Sequence, residues 1–353
     1  MKRTSLKMVA MLIATATLFA CTDDITTKLP DPDPDPKPPV EYTYDVYAAG
    51  YEVIDTEHQV AMLWKNGKAT PLTDASKSAQ AVSVLVAGND VYVAGYQKEE
   101  GKQVATLWKN GTAARLTNGN DDAVAFRIFV SGSDVYVAGW DGKKAILWKN
   151  GEATALTNGE NNAQAYSVFI TGSDVYVAGY IYNNSNKRVA TLWKNGTAIG
   201  LTGGATYAEA FSVFVSGNDF YAAGYEEDND GSYIAKLWKN SEAINLTNAP
   251  GYAGAHSVSL DGNDVYVVGF EVENEERLVA KLWKNGKVAG NLGDPGLNSI
   301  GYSVFAIDGN VYVAGSENEI AKLWKNGEII NLNDGSKNGE AHSVYVVKRE
   351  VGK

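Results

Sequence analysis

The sequence predicts an all-β chain folded as a seven-bladed β-propeller, four antiparallel strands per blade, with the first blade closed by the C-terminal strand. Three observations predict it. Leu-Trp-Lys-Asn-Gly, or a one-residue variant, recurs seven times, at Trp64, Trp108, Trp148, Trp193, Trp238, Trp283 and Trp324, spaced 44, 40, 45, 45, 45 and 41 residues apart. A period of this length marks a repeat architecture. Each period holds four short runs rich in Val, Ile, Leu, Phe, Tyr and Trp, bounded by Gly, Asn and Asp, and none is long enough for an ordinary helix. Finally, the runs are out of phase with the chain ends.

The elements of one period, Phe211 to Thr247, follow in order. Strand a, Phe211–Val215, is apolar at both parities, with Phe211, Val213 and Val215 on one side and Phe214 on the other. A strand of that pattern is covered on both faces, as in stacked blades. Ser216-Gly217-Asn218 leads into strand b, Asp219–Tyr225. A polar loop precedes strand c, Ile234–Lys239, and Asn240-Ser241 turns the chain into the short strand d, Ala243–Leu246. Elsewhere the c–d pair is Asn-Gly, as at Asn66-Gly67 and Asn110-Gly111. That pair suits a two-residue hairpin whose central residues both need positive φ.

The phase sets the closure. Strands b, c and d occur seven times, the first set between Asp45 and Leu72, whereas strand a first occurs at Val82 and last at His342–Val347. The chain therefore opens with a blade that lacks its a strand and ends with that strand, which removes a free inner edge. Pro71 places strand d at the outer edge, where a missing N–H is tolerated. The predicted organisation is a signal peptide over 1–20, a lipidated cysteine and tether over 21–41, the propeller over 42–348 and a tail over 349–353.

The N-terminus carries an address. Lys2, Arg3 and Lys7 precede an apolar stretch, Met8 to Ala20, too short for a membrane span, which reads as a secretory signal. It ends at Leu18-Phe19-Ala20-Cys21, which resembles the bacterial lipoprotein lipobox, and Cys21 is the single cysteine of the chain. Lipidation of Cys21 leaves no thiol for disulfides, catalysis or metal binding. Thr22-Asp23-Asp24 resembles the surface-export signal of Bacteroidota-type lipoproteins. The alternating prolines of 29–39 form a stiff, extended spacer. The expected location is the bacterial outer membrane, with a lipid anchor as the membrane partner. Loss of residues 1–20 takes the net charge from −11 to −14, and no basic stripe remains, so nucleic acid is not an expected partner.

The candidate binding face follows from the turns. The a–b turns, such as Gly88-Asn89-Asp90 and Gly262-Asn263-Asp264, are nearly uniform and share one face with the c–d turns. The b–c and d–a loops, such as Glu226 to Tyr233 and Asn183 to Arg188, lie on the other face and differ from blade to blade. Variable loops on a rigid scaffold are where binding residues concentrate. The first residues of the a strands, Val82, Phe126, Tyr166, Phe211, His256, Tyr302 and His342, should ring the channel mouth on that face, with Glu209 and Glu340 nearby. Two readings stay open: packing between blades, or an aromatic and imidazole rim for a small ligand or sugar.

Catalytic and metal motifs are not found. His58, His256 and His342 do not form one metal shell, and no cofactor is implied. Ser257 and Ser343 follow histidines, but Ser83, Ser167, Ser212 and Ser303 hold the same repeat place, which points to a structural role. The acidic loop from Glu226 to Gly231 lacks the carboxylate near Leu237 that an EF-type calcium loop needs. Arg115, Arg127, Arg188 and Arg277 are scattered, and the Ser131 to Gly139 repeat is not the Asp-box of sialidases.

The Asp-Val-Tyr-Val-Ala-Gly-Tyr and Leu-Trp-Lys-Asn-Gly units over about 42–348, with the lipobox, resemble a group of Bacteroidota-type surface lipoproteins with seven-bladed propellers. The resemblance implies architecture and address and carries over no catalytic or binding residue. The leading expectation is a surface-tethered, non-enzymatic binding module for a glycan or an envelope protein, engaged through the b–c and d–a face. The alternatives are a glycan hydrolase or lyase using Glu209 and Glu340, and a multivalent lectin with one site per blade.

Overall fold

Strand d of each blade is followed by strand a of the next, and this phase shift closes the ring. A computed structural model describes residues 40–351 apart from 57, 249, 275 and 334. The signal, Cys21 and the Pro/Asp tether fall outside the described residues. Seven four-stranded sheets form, each in the order a-b-c-d. In the first blade the C-terminal strand Gly339–Glu350 takes the a place beside Tyr42–Val53, paired antiparallel from Tyr42↔Glu350 to Glu52↔Gly339. The predicted closure is thus observed. Strand pairing continues to Glu350, past the propeller end at 348 read from the sequence, and Arg349 Nε donates to Asp45 Oδ2 at 2.7 Å.

The repeated pentapeptide serves the architecture. All seven tryptophans are 0 % exposed. Trp108 of blade 2 shows the pattern: it packs with Tyr47, Ala49 and Ala61 of blade 1 as well as Ala79, Ala81 and Val93 of its own. Side chains of this size dominate core energetics. The next residue, lysine, stretches over the tyrosine of strand b at 5.0–5.6 Å from the ring centroid. In six blades it also pairs with the aspartate that opens strand b, at 2.7–3.3 Å.

The asparagine closes the motif. Its Nδ2 donates to the same aspartate at 2.6–2.9 Å in those six blades. Its Oδ1 accepts a backbone N–H of strand b at 2.8–3.0 Å in all seven. In blade 7, Asn310 replaces the aspartate and accepts from Asn326 Nδ2 at 3.1 Å. Asn66 and Gly67 have φ of 50° and 78°, as the two-residue hairpin demands, and Ser241 takes the glycine place at φ 72°.

Candidate functional site

Seven bulges build the site. In every blade strand a carries one residue more than strand b opposite, and the extra residue is Val82, Phe126, Tyr166, Phe211, His256, Tyr302 or His342. A bulge bends its strand and re-aims a side chain. Sequence reasoning set these residues at the opening of strand a. The strands instead begin three residues earlier, at Ala79, Ala123, Ala163, Ala208, Ala253, Ser299 and Gly339, so each ring residue stands fourth. The reason is a close approach. A carbonyl of the bulged strand lies directly over the glycine of Val-Ala-Gly in strand b. A Cβ on Gly224 would overlap Glu209 O outright, and Gly50, Gly95, Gly139, Gly179, Gly269 and Gly315 face the equivalent carbonyls.

The bulged residues meet as a collar. Phe126 and Tyr166 lie 5.0 Å apart between ring centroids, Tyr166 and Phe211 5.2 Å, and Phe211 and His256 5.5 Å. His256 stacks on Tyr302 at 5.5 Å, and Tyr302 meets His342 edge-on at 5.2 Å. Val82 fills the remaining place. All seven are half-buried, between neighbours that are mostly buried. They surround a cavity of about 270 Å³, deepened by Arg127, Ser167, Ser212 and Ser257. The structure therefore brings together Phe126, Tyr166, Phe211, His256, Tyr302 and His342.

Glu209 and Glu340 stand behind the collar and do not line its cavity. Glu209 is 3 % exposed. It accepts hydrogen bonds from Tyr166 Oη and Tyr225 Oη, both at 2.8 Å, and pairs with Arg188. Glu340 accepts from His342 Nε2 at 2.9 Å and is bonded by Tyr302 and Tyr51. Burial acts to raise the Glu340 carboxyl, but His342, Tyr302 and Tyr51 together outweigh it and hold the pKa below the usual value. The Tyr166 hydroxyl is pushed well above its ordinary pKa by burial and by the Glu209 charge, so it remains a donor. The two carboxylates play one part twice. Each sits two residues before a collar residue and takes the hydroxyl of the preceding blade's collar tyrosine. The collar presents ring surface inward and turns these hydroxyls away from the axis.

Burial lowers the His256 pKa to about 4, against a weaker opposing hydrogen bond to Gly301 O at 3.0 Å, so the imidazole is neutral near pH 7. Nδ1 donates to that carbonyl, which leaves Nε2 as an acceptor. His58 lies apart, in an exposed loop with Asp55. Among the described residues, no group of three His, Cys, Asp or Glu side chains is placed to hold a metal.

Below the collar a second tier runs around the axis: Ser83, Arg127, Ser167, Ser212, Ser257, Ser303 and Ser343. The serines bond from blade to blade, as where Val213 N donates to Ser167 Oγ at 3.2 Å. A third tier, including Phe129, Phe169, Phe214, Phe305 and Tyr345, encloses a lower cavity of about 110 Å³, which Arg127 also lines. Seven four-stranded sheets ordered around one axis define a β-propeller.

No family model matches the chain, and no curated protein matches it. Among solved structures it is similar to the crystal structure of the WD40 beta propeller domain of Doa1. The TM-score is 0.47 and the identity 16 %, over 77 % of this chain and 94 % of that one.

Sequence reasoning missed two residues of this region. Arg127 was grouped with scattered arginines, although aligning the repeats puts it in the serine column. Arg188 was assigned to a variable loop, whereas it opens strand c of blade 4 and neutralises Glu209; nothing in the linear sequence pairs residues of adjacent blades.

Proposed function

We propose that the chain is a non-enzymatic binding module, tethered to the outer membrane through a lipid on Cys21, which takes a glycan or an envelope-protein segment at the collar. The collar is the observation that supports this reading: six rings in contact around one cavity, edge-on, tilted or stacked on their neighbours, with tyrosine hydroxyls turned outward. Aromatic surface at a concave mouth receives the apolar face of a sugar or an apolar side chain. By the topology, the b–c and d–a loops surround this mouth, and they are the segments in which the blades differ. The propeller begins at Tyr42 on the opposite face, where Tyr44 Oη donates to Asp308 of an a–b turn at 2.8 Å.

The alternatives draw less support. A hydrolase or lyase needs a carboxyl group that reaches substrate, and Glu209 and Glu340 are engaged behind the collar. A lectin with one site per blade needs free repeated side chains, and the repeated Lys, Asp and Asn bond one another.

The test is a glycan array and an envelope-extract pull-down with the full chain, followed by calorimetry on any hit. The expected result is one ligand per chain, with affinity reduced about tenfold or more by Phe211→Ala and by Tyr302→Ala, the cost of losing an aromatic anchor. Several ligands per chain, or unchanged capture by both variants, would overturn the reading. Loop exchanges between Asn183 and Arg188 should retain Arg188, since its loss also strands Glu209.

A further inference from the structure

Arg127 places a positive charge in the middle of the channel where the other six blades place a hydroxyl. Those six serines cap the inner edges of the a strands. Ser83 accepts from Ile128 N, Ser167 from Val213 N, Ser212 from Val258 N, Ser257 from Val304 N, Ser303 from Val344 N and Ser343 from Val84 N, all at 3.2–3.3 Å. In the seventh junction the equivalent N–H belongs to Val168, and the residue facing it is Arg127. A guanidinium has five donors and no acceptor, so this N–H gains no partner from it.

Arg127 itself forms no hydrogen bond or ion pair among the described residues. Burial pulls its pKa below the ordinary value, with Tyr345 acting weakly against that. It lines both the collar cavity and the cavity below, so it stands between them. Ser167, Ser212 and Ser257 line the upper cavity with it, and each uses Oγ as an acceptor while keeping its O–H to donate. Donors thus gather at one depth of the channel, and a half-buried charge without a partner is costly.

We infer that this is an anion site, which takes the carboxylate of a small ligand whose ring or sugar body fills the collar. The inference rests on the collar being the binding site. A guanidinium fork matches the two oxygens of a carboxylate. The Val168 N–H and the serine hydroxyls add further donors. The chain carries a net charge of −11, so such capture works against the overall field and depends on this built pocket.

Arg127→Ser is a clean perturbation, because it restores the residue used by the other six blades and supplies Val168 with an acceptor. The full chain and this variant are titrated by calorimetry, at constant ionic strength, with benzoate and glucuronate and with their neutral counterparts benzyl alcohol and methyl glucoside. In the wild type at least one carboxylate should bind once per chain, about tenfold or more tighter than its neutral counterpart. Arg127→Ser should lose that preference and show a higher thermal midpoint in anion-free buffer. Equal binding of charged and neutral probes to the wild type, a preference retained by Arg127→Ser, or no binding of either carboxylate overturns the anion site. Neutral probes that bind both proteins alike would leave the collar reading standing without it. Carboxylate binding that survives Phe211→Ala but not Arg127→Ser would refute the collar, and with it the proposal that the ligand body fills it, leaving Arg127 as a carboxylate contact alone.

Discussion

Replacing Gly224 by alanine tests whether the seven bulges aim the collar. The new methyl carbon would overlap Glu209 O and come within 2.9 Å of the Glu209 carbonyl carbon and 3.0 Å of Ala210 Cα. Relief requires the a strand to move by about an ångström, since carbon contacts relax near 3.5–4.0 Å. It cannot do so freely. Glu209 is held by Tyr166, Tyr225 and Arg188, and Ala208 and Ala210 are fully buried. Sliding the bulge instead would exchange the faces of Ala208 and Glu209. Overpacking a well-filled interior costs about 1–3 kcal/mol, and a clash against backbone belongs at the upper end, about 3 kcal/mol.

The matched control is Gly203→Ala. Gly203 is exposed, has no atom within 4 Å of an added Cβ and does not need positive φ, so alanine there should be neutral or stabilise by about 0.4–1 kcal/mol. Urea unfolding followed by tryptophan fluorescence reads both. With a slope of about 3 kcal/mol per molar, Gly224→Ala should lower the midpoint by about 1 M. A Gly224→Ala midpoint matching that of the wild type would refute the account, because the carbonyl would then not depend on a bare glycine.

Four further outcomes are expected. Ser241→Gly should raise stability by about 0.5–1 kcal/mol in the same unfolding assay, because Ser241 holds φ at 72° where its sister turns have glycine. Trp283→Phe should cost about 1 kcal/mol more than Trp108→Phe, since Trp283 Nε1 donates to Leu246 O at 3.1 Å while the Trp108 N–H has no partner. Glu209→Gln should destabilise by about 2 kcal/mol, less than for a fully buried pair because the Arg188 side chain is 30 % exposed. His256 should make stability fall on acidification: its folded pKa is about 4 against 6.5 when unperturbed, so the unfolded chain binds the extra proton between these values. Stability is full above pH 6.5 and declines by up to about 3 kcal/mol toward pH 4, and His256→Phe should flatten this part of the profile.

The parts legible in the sequence were those set by local rules. Asn-Gly announces its own turn, Pro71 announces an edge, and the phase of the a strands announces the closure of 339–350 on 42–53. The start of strand a was not legible. Its first three residues read Ala-x-Ala in five of the blades, which carries little strand propensity, and alanine is there because the bulge presses backbone on backbone. The collar residues could be picked out by comparing repeats, but their aim depends on a bulge that leaves no composition signal of its own. Glu209 and Glu340 could be seen as unusual, yet their part depends on hydroxyls contributed by the preceding blade.

Blades this similar leave little room for function except where a column breaks. The lysine, asparagine and tryptophan columns are uniform because each blade needs the same bonds. The collar column varies in size and chemistry, from Val82 to Tyr166 and His256, on the same bulge in every blade. The serine column varies at one place only. There Arg127 replaces a hydroxyl that would cap a neighbouring strand, adds a half-buried charge, and removes an acceptor. Duplication of a structural unit would keep the serine, which six junctions show to be sufficient. A local rule broken at a cost, beside a cavity, and where the neighbours keep the rule, is the pattern expected of a site held for something other than stability.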